Sequence, residues 1–370
     1  KKSSSKAAKN TTPGETTHLF DLNLSEEQQM IVDSLRDFAE HAIRPMADEA
    51  NEAEAMPEAL LSQAAELGLA AFVVPEEMGG VASRRSPITS VLIAETLAHG
   101  DMGLAVGLLA PMSFANAISQ WGSKAQQNKY LSEFVSESAP MATIAINEPG
   151  LPGDDRLLST KASRRVGGWS LSGKKTLVPL AKRSAYILVS AQTLYGPELF
   201  VVDRHAKGVT ITSESAMGLK AAELATVELR GVKVAADACI GGNDFAYDDF
   251  LNMARVGWCA LAVGTSQAVL DYVVPYCNER EAFGEPISHR QAVAFMVANI
   301  GIELEGTDTA AYTHAQYASL CNLSKSIMQR YPKITSSRIV GHCDIAPGRK
   351  TDPGSSFNWP LFLNMLEQPS

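Results

Sequence analysis

From Ser25 to about residue 140 the apolar residues recur at helical intervals. Ile31, Leu35, Phe38, Ala42 and Ile43 fall on one face of a segment spanning 25–50, with the steps of three and four that a 3.6-residue turn requires. Ser25 followed by Gln28 supplies a capping-box signal at its start. Pro57 opens a second helix that Gly68 closes, and the same spacing predicts helices over 86–99, 102–119 and 124–138. The texture changes at "ATIAINEPG" (142–150). From there to Val234, short β-branched runs alternate with glycine, and Ser172-Gly173 reads as a tight turn between two strands. Strands that follow one another without helices predict an antiparallel sheet or a small barrel. Helical spacing returns near 246 and runs through "LNMARVGWCALAVGTSQAVLDYVVPYCNER", where Pro275 is expected to kink the helix or mark an irregularity.

The predicted architecture is α+β and multidomain. A disordered tail over 1–20 precedes a helical N-terminal domain at 21–140 and a β-sheet domain at 141–240. A partial C-terminal helical domain at 241–305 and a short irregular segment at 306–370 complete it. The join is ambiguous. In "NIGIELEGTDTAAYT" (299–313), Ile300 and Leu304 with the earlier Val297 line one face of a helix, whereas Ile300, Ile302 and Leu304 line one face of a strand. No breaker precedes Gly301, so the helix is expected to persist to about Glu305.

Composition narrows the function. The chain has 370 residues, 45% hydrophobic and 20% charged, which reads as soluble and globular with two or three domains. A net charge of −9 argues against nucleic acid and favours small molecules or proteins as partners. No apolar run is long enough to span a bilayer, and no signal peptide is evident. Five scattered cysteines without CxxC spacing suit free thiols in a reducing cytoplasm. The opening "KKSSSKAAKNTTPGETTH" reads as a disordered tail or the cut edge of a longer chain.

Five segments, in order and at compatible spacing over roughly 20–304, carry a resemblance. They are "LSEEQQMIVDSLRDFAEHAIRPMADE", "MPEALLSQAAELGLAAFVVPEEMGG", "AINEPGLPGDD", "MGLKAAELATVELRGVKV" and "LDYVVPYCNEREAFGEPISHRQAVAFM". Together they resemble the acyl-CoA dehydrogenase family. The resemblance implies a homo-oligomeric flavoprotein that holds FAD between sheet and C-terminal helices. Its substrate would be an acyl-CoA thioester oxidised to the 2,3-enoyl form, with an electron acceptor left unassigned. That chemistry needs a carboxylate base and a polarised carbonyl. By the same resemblance Ile146 and Asn147 would contact the flavin ring, Arg280 and Phe283 would reach FAD across a subunit boundary, and Gln291 would lie near the adenine-side phosphates. Taken singly, each has a plainer reading: Arg280 in a surface ion pair, Phe283 as a core anchor, Asn147 as a strand-end cap.

Departures from the family pattern stand out. Leu177 and Pro179 occupy positions that usually carry Trp and Thr or Ser. Gly153 lacks the usual hydroxyl, and Lys220 and Ala222 stand where Arg and Ser are common. One branch of the family carries its base at the position of Ala254, and the other in a C-terminal loop that this chain lacks. No catalytic base can be named.

Beyond residue 304 a different resemblance begins. "IGIELEGTDT" and "GHCDIAPGRKTDPG" resemble the cytoplasmic zinc amidase that cleaves N-acetylmuramoyl from L-alanine in recycled anhydro-muropeptides. It implies His342 and Asp352 as zinc ligands, Lys350 as an oxyanion stabiliser and Glu303 as the acid/base carboxylate. Spacing alone favours His342 capping a strand and Asp352 capping a turn, and the family's third ligand, an early histidine, has no counterpart. The chain therefore reads as a mosaic. The leading expectation is an acyl-CoA dehydrogenase-like enzyme with incomplete catalytic machinery. A fragmentary amidase with an incomplete zinc site and a non-catalytic scaffold are the alternatives.

Overall fold

The computed structural model describes residues 24–290 apart from 83–85, 137–138, 151–155 and 242–244. Beyond them it describes 292–294, 296–297, scattered positions between 317 and 339, and 357–367. Gln291, Glu303, His342, Lys350, Asp352 and Gly153 lie outside the described residues, as do the tail over 1–20 and the expected helix end at Glu305. The chain divides into two compact units, through Tyr272 and from Val273 onward.

The first unit opens with helices. Ser25 caps α1 (Glu26–Phe38) through a capping box, each partner bonding the other's backbone N–H. The apolar face read from the sequence is buried at Val32, Leu35 and Phe38. A π-turn over Ala39–Ile43 joins α1 directly to α2 (Arg44–Ala53), so the predicted segment runs on without a break. Next come α3 (Glu58–Glu66), closed by Gly68 in the left-handed region, and α4 (Pro87–Gly100), capped by Ser86. The helix expected over 102–119 is two: α5 (Met102–Leu108) and α6 (Ala110–Trp121). Pro111 explains the break, since it has no N–H to continue the helical ladder across Leu109. A second capping box at Ser123 and Gln126 starts α7 (Lys124–Tyr130). Both α5 and α6 are largely buried. Their apolar character belongs to a core, and no single described helix is long and apolar enough to cross a membrane.

The sheet follows. Its strands are β1 (Ala142–Ala145), β2 (Lys161–Arg165), β3 (Gly168–Val178), β4 (Tyr186–Gln192), β5 (Pro197–Asp203), β6 (Val209–Ser213), β7 (Ala225–Ala235) and β8 (Cys239–Ile240). The hydrogen-bonded order is β6-β7-β3-β2-β4-β5-β8, with β1 beside β4. Most pairs are antiparallel, as the run of strands predicts. Two are parallel: β1 with β4 and a single β2–β4 register pair. Gly173 has φ +157 where β3 passes Thr160, and a Cβ there would sit 2.4 Å from Thr160 Oγ1. The sheet interior buries Trp169, Leu171, Val189, Phe200 and Val227. Its other face packs Ala142, Leu188 and Leu199 with Phe114 and Phe134 from the helices.

The chain returns to helix in α8 (Tyr247–Glu279), which continues past Pro275. Gly264 brings α8 against α4, because a Cβ there would lie 1.9 Å from the Glu95 carbonyl oxygen. Away from that contact α8 leaves Val256, Trp258 and Val263 about half exposed.

The second unit holds the end of α8, then the hairpin β9 (Glu281–Ala282) and β10 (Glu285–Pro286). Tyr317, Cys321, Phe357, Phe362 and Leu366 form a small core against α9 (Trp359–Glu367). The Tyr317 hydroxyl accepts a 2.6 Å hydrogen bond from the Asn358 N–H.

Candidate functional site

A cavity of about 450 Å³ opens within the first unit, a size typical of small-molecule sites. Its walls come from α4, α5, α6, the end of β1, the end of β3 and the first half of α8. The predicted ring contacts Ile146 and Asn147 both line it. So do Leu177, Pro179 and Ala254, the three departures that bear most on the chemistry. Among the described residues, none of those lining it carries an ionisable side chain.

Two carboxylates behind the walls fix their shape. Lys175 is fully buried, and its ammonium donates to the Ile146 carbonyl at 2.9 Å, Glu148 Oε1 at 2.8 Å and Ser190 Oγ at 3.0 Å. A buried cation with three acceptors is tolerated where an unpaired one is not. Glu148 also accepts from the Ser159 and Thr160 N–H groups. The Thr176 N–H donates to the Asn147 carbonyl at 3.0 Å. These bonds pin the Ile146–Asn147 segment to β3.

The second carboxylate, Glu214, shapes the end of β3. Its oxygens accept from Thr176 Oγ1 at 2.5 and 2.6 Å, from the Leu177 N–H at 3.0 Å and from Thr226 Oγ1 at 3.0 Å. Leu177 has φ +54 and Leu180 φ +49, beside a register shift between β3 and β7. A left-handed leucine costs about 1–3 kcal/mol and persists only where its surroundings over-determine it. Glu214 is part of that restraint.

Burial tends to raise both carboxylates. The hydrogen bonds overcome it, from Lys175 and Thr160 at Glu148 and from Thr176, the Leu177 N–H and Thr226 at Glu214, so both titrate below the ordinary range. A depressed folded-state pKa gives stability that is complete above the unfolded value, about 4.3 for Glu. That stability is lost as pH falls through the folded value. Urea midpoints should therefore hold steady from neutrality to about pH 5 and then drop. Replacing Glu148 by Gln should flatten the drop.

The other predicted positions are placed as follows. Arg280 and Phe283 are exposed in the second unit, at the β9–β10 hairpin, where the Arg290 guanidinium lies 5.4 Å over the Phe283 ring. Phe283 is thus no core anchor: it is 96% exposed with φ +58. Lys220 pairs with Glu54 at 2.9 Å and Ala222 is buried. No cluster of three metal-ligating side chains occurs among the described residues. Sequence reading missed Lys175, Thr176, Glu214 and Trp258. A lysine inside an apolar strand run was the available signal for the first.

Comparisons with known proteins agree with this layout. Residues 25–138 match the model of the acyl-CoA dehydrogenase N-terminal domain and residues 143–232 that of its middle domain. Residues 254–355 match the N-acetylmuramoyl-L-alanine amidase model, a stretch that begins inside α8. The chain is 29% identical over 335 residues to a glutaryl-CoA dehydrogenase of Desulfococcus multivorans, covering 88% of this chain and 86% of that one. It is 30% identical over 294 residues to a cyclohex-1-ene-1-carbonyl-CoA dehydrogenase of Geobacter metallireducens, covering 77% of each. The solved glutaryl-coenzyme A dehydrogenase glutaryl-CoA complex superposes with a TM-score of 0.68 at 29% identity, over 76% of this chain and 75% of that one. With the helix–sheet–helix order, the cavity between them and these matches in agreement, the chain belongs to the acyl-CoA dehydrogenase family.

Proposed function

We propose that the chain binds FAD and an acyl-CoA thioester in the cavity walled by β1, β3, α4, α6 and α8, and that its dehydrogenation step is slow because Ala254 supplies no carboxylate. The observation that carries this reading is the meeting of Ile146, Asn147, Leu177, Pro179 and Ala254 around one apolar cavity. The residues present fit an isoalloxazine ring. Apolar side chains of Ile144, Val256 and Leu261 in the lining suit its faces, and Asn147, Thr176 and the buried hydroxyl of Thr143, unpartnered among the described residues, supply polar edges. When bound, FAD supplies the hydride acceptor for oxidation of the thioester's 2,3-bond.

The chain's own residues do the rest. Lys175 and Glu214 hold the walls, and Ile146 and Asn147 orient the ring. The 2-proton must leave for a base, and Ala254 offers a methyl group where one family branch has a carboxylate. Arg280 and Phe283, exposed on their hairpin, are assigned to FAD of a neighbouring subunit in a homo-oligomer, with Gln291 toward the adenine side. The expected setting is the cytoplasm, with an electron acceptor of unassigned identity.

Anaerobic mixing of FAD-loaded protein with acyl-CoA tests this. It should shift the flavin spectrum at once but bleach it only slowly. Unchanged absorbance at saturating acyl-CoA would contradict the binding reading.

The amidase match supports a second reading for the C-terminal segment alone, a remnant with His342 and Asp352 as two zinc ligands, Lys350 and Glu303. A two-ligand site would hold zinc weakly.

A further inference from the structure

The end of β3 has an unusual hydrogen-bond balance. Three of its groups could donate into the cavity: the Thr176 N–H, the Thr176 O–H and the Leu177 N–H. The first is taken by the Asn147 carbonyl at 3.0 Å. The second points at Glu214, whose oxygens lie 2.5 and 2.6 Å from Thr176 Oγ1. The third also goes to Glu214, at 3.0 Å. Pro179, next along the same wall, has no N–H at all.

An ionised carboxylate only accepts. The Thr176 hydroxyl proton is therefore committed to Glu214, and Oγ1 is left with lone pairs and nothing to donate. Thr226 Oγ1 donates to Oε2 of the same carboxylate at 3.0 Å and helps to hold it. Thr176 lines the cavity. What it offers a bound molecule is an acceptor.

We propose that Thr176, oriented by Glu214, selects for an N–H donor on the bound ring and so favours reduced over oxidised flavin. This rests on the reading that the cavity takes FAD. Two-electron reduction adds N–H donors to the isoalloxazine, whereas the oxidised ring presents acceptors at those nitrogens. The β3 end, its donors all taken, is matched to the first and mismatched to the second, while Asn147 and the Thr143 hydroxyl keep donors elsewhere in the lining. Thr176 is then a flavin-contacting group, and Glu214 a positioning residue acting through it.

The test is a pair of measurements on the full chain: the dissociation constant for oxidised FAD by fluorescence titration, and the flavin midpoint potential by dithionite titration against a reference dye. Thr176→Val keeps the shape and removes the acceptor. It should lower the preference for the reduced form about tenfold, the worth of one hydrogen bond, which is about 30 mV more negative for a two-electron couple. Thr176→Ser should restore the parent potential. Glu214→Gln, whose amide can donate to Oγ1 and compete for it, should shift the potential in the same direction as Val. A Val variant that binds oxidised FAD more weakly at an unchanged potential would reduce Thr176 to a packing role and overturn the inference alone. A parent chain that binds no FAD would overturn both the inference and the reading beneath it.

Discussion

Ala254→Glu should bleach its bound flavin on anaerobic mixing with acyl-CoA about 100- to 10,000-fold faster than the parent, the range a positioned general base contributes. Ala254 sits on α8 and lines the cavity, so a longer side chain there projects toward the ligand space rather than into the core. Glutamate is a good helix former, and α8 should tolerate it. Among the described residues, the surrounding walls carry no ionisable group. Their apolar character disfavours a carboxylate anion, raising its pKa toward the range where a base works near neutrality. Ala254→Gln has the same shape without the basicity and should give no gain. If Glu and Gln variants bleach at the same rate as the parent, the missing carboxylate is not what limits this chain.

Lys175→Ala should cost about 3–5 kcal/mol of unfolding free energy, as breaking a buried ion pair does. That is a large part of the roughly 5–15 kcal/mol that holds an ordinary domain together. The loss has two sources. Three acceptors, the Ile146 carbonyl, Glu148 and Ser190, lose their donor, and a void opens between β1, β3 and β4. Glu148 keeps the Ser159 and Thr160 N–H groups, so it is not wholly stranded. Lys175→Met fills the space and should cost less. Adding Glu148→Gln to it should recover part of the remainder, the non-additivity expected of residues in contact. Urea unfolding followed by tryptophan fluorescence measures all three. Equal midpoints for parent and Lys175→Ala would mean the pair does not hold the wall.

The helix–sheet–helix order was legible because burial follows periodicity. The α1 face at Leu35 and Phe38 follows from the positions of apolar residues, but the turn expected at Ser172-Gly173 lies inside the single strand β3, where Lys175 is buried and Leu177 exposed. The π-turn at Ala39–Ile43 was not, since one extra residue per turn leaves the apolar spacing of Ala42 and Ile43 nearly unchanged. Pro111 marked the α5–α6 break, but the apolar run around it masked the signal. The parallel pairing of β1 with β4 depends on contacts more than forty residues apart, which no local pattern encodes. The site divides in the same way. Ile146, Asn147, Leu177 and Pro179 came from family resemblance. The Glu214–Thr176 contact spans 38 residues and became visible only in three dimensions.

Flavin binding by this chain is the property on which its proposed chemistry depends. Purified protein titrated with FAD, followed by flavin absorbance and fluorescence quenching, should saturate at one FAD per chain, with a red-shifted and structured visible band. A preparation that stays colourless and leaves FAD fluorescence unquenched at saturating concentrations would contradict it.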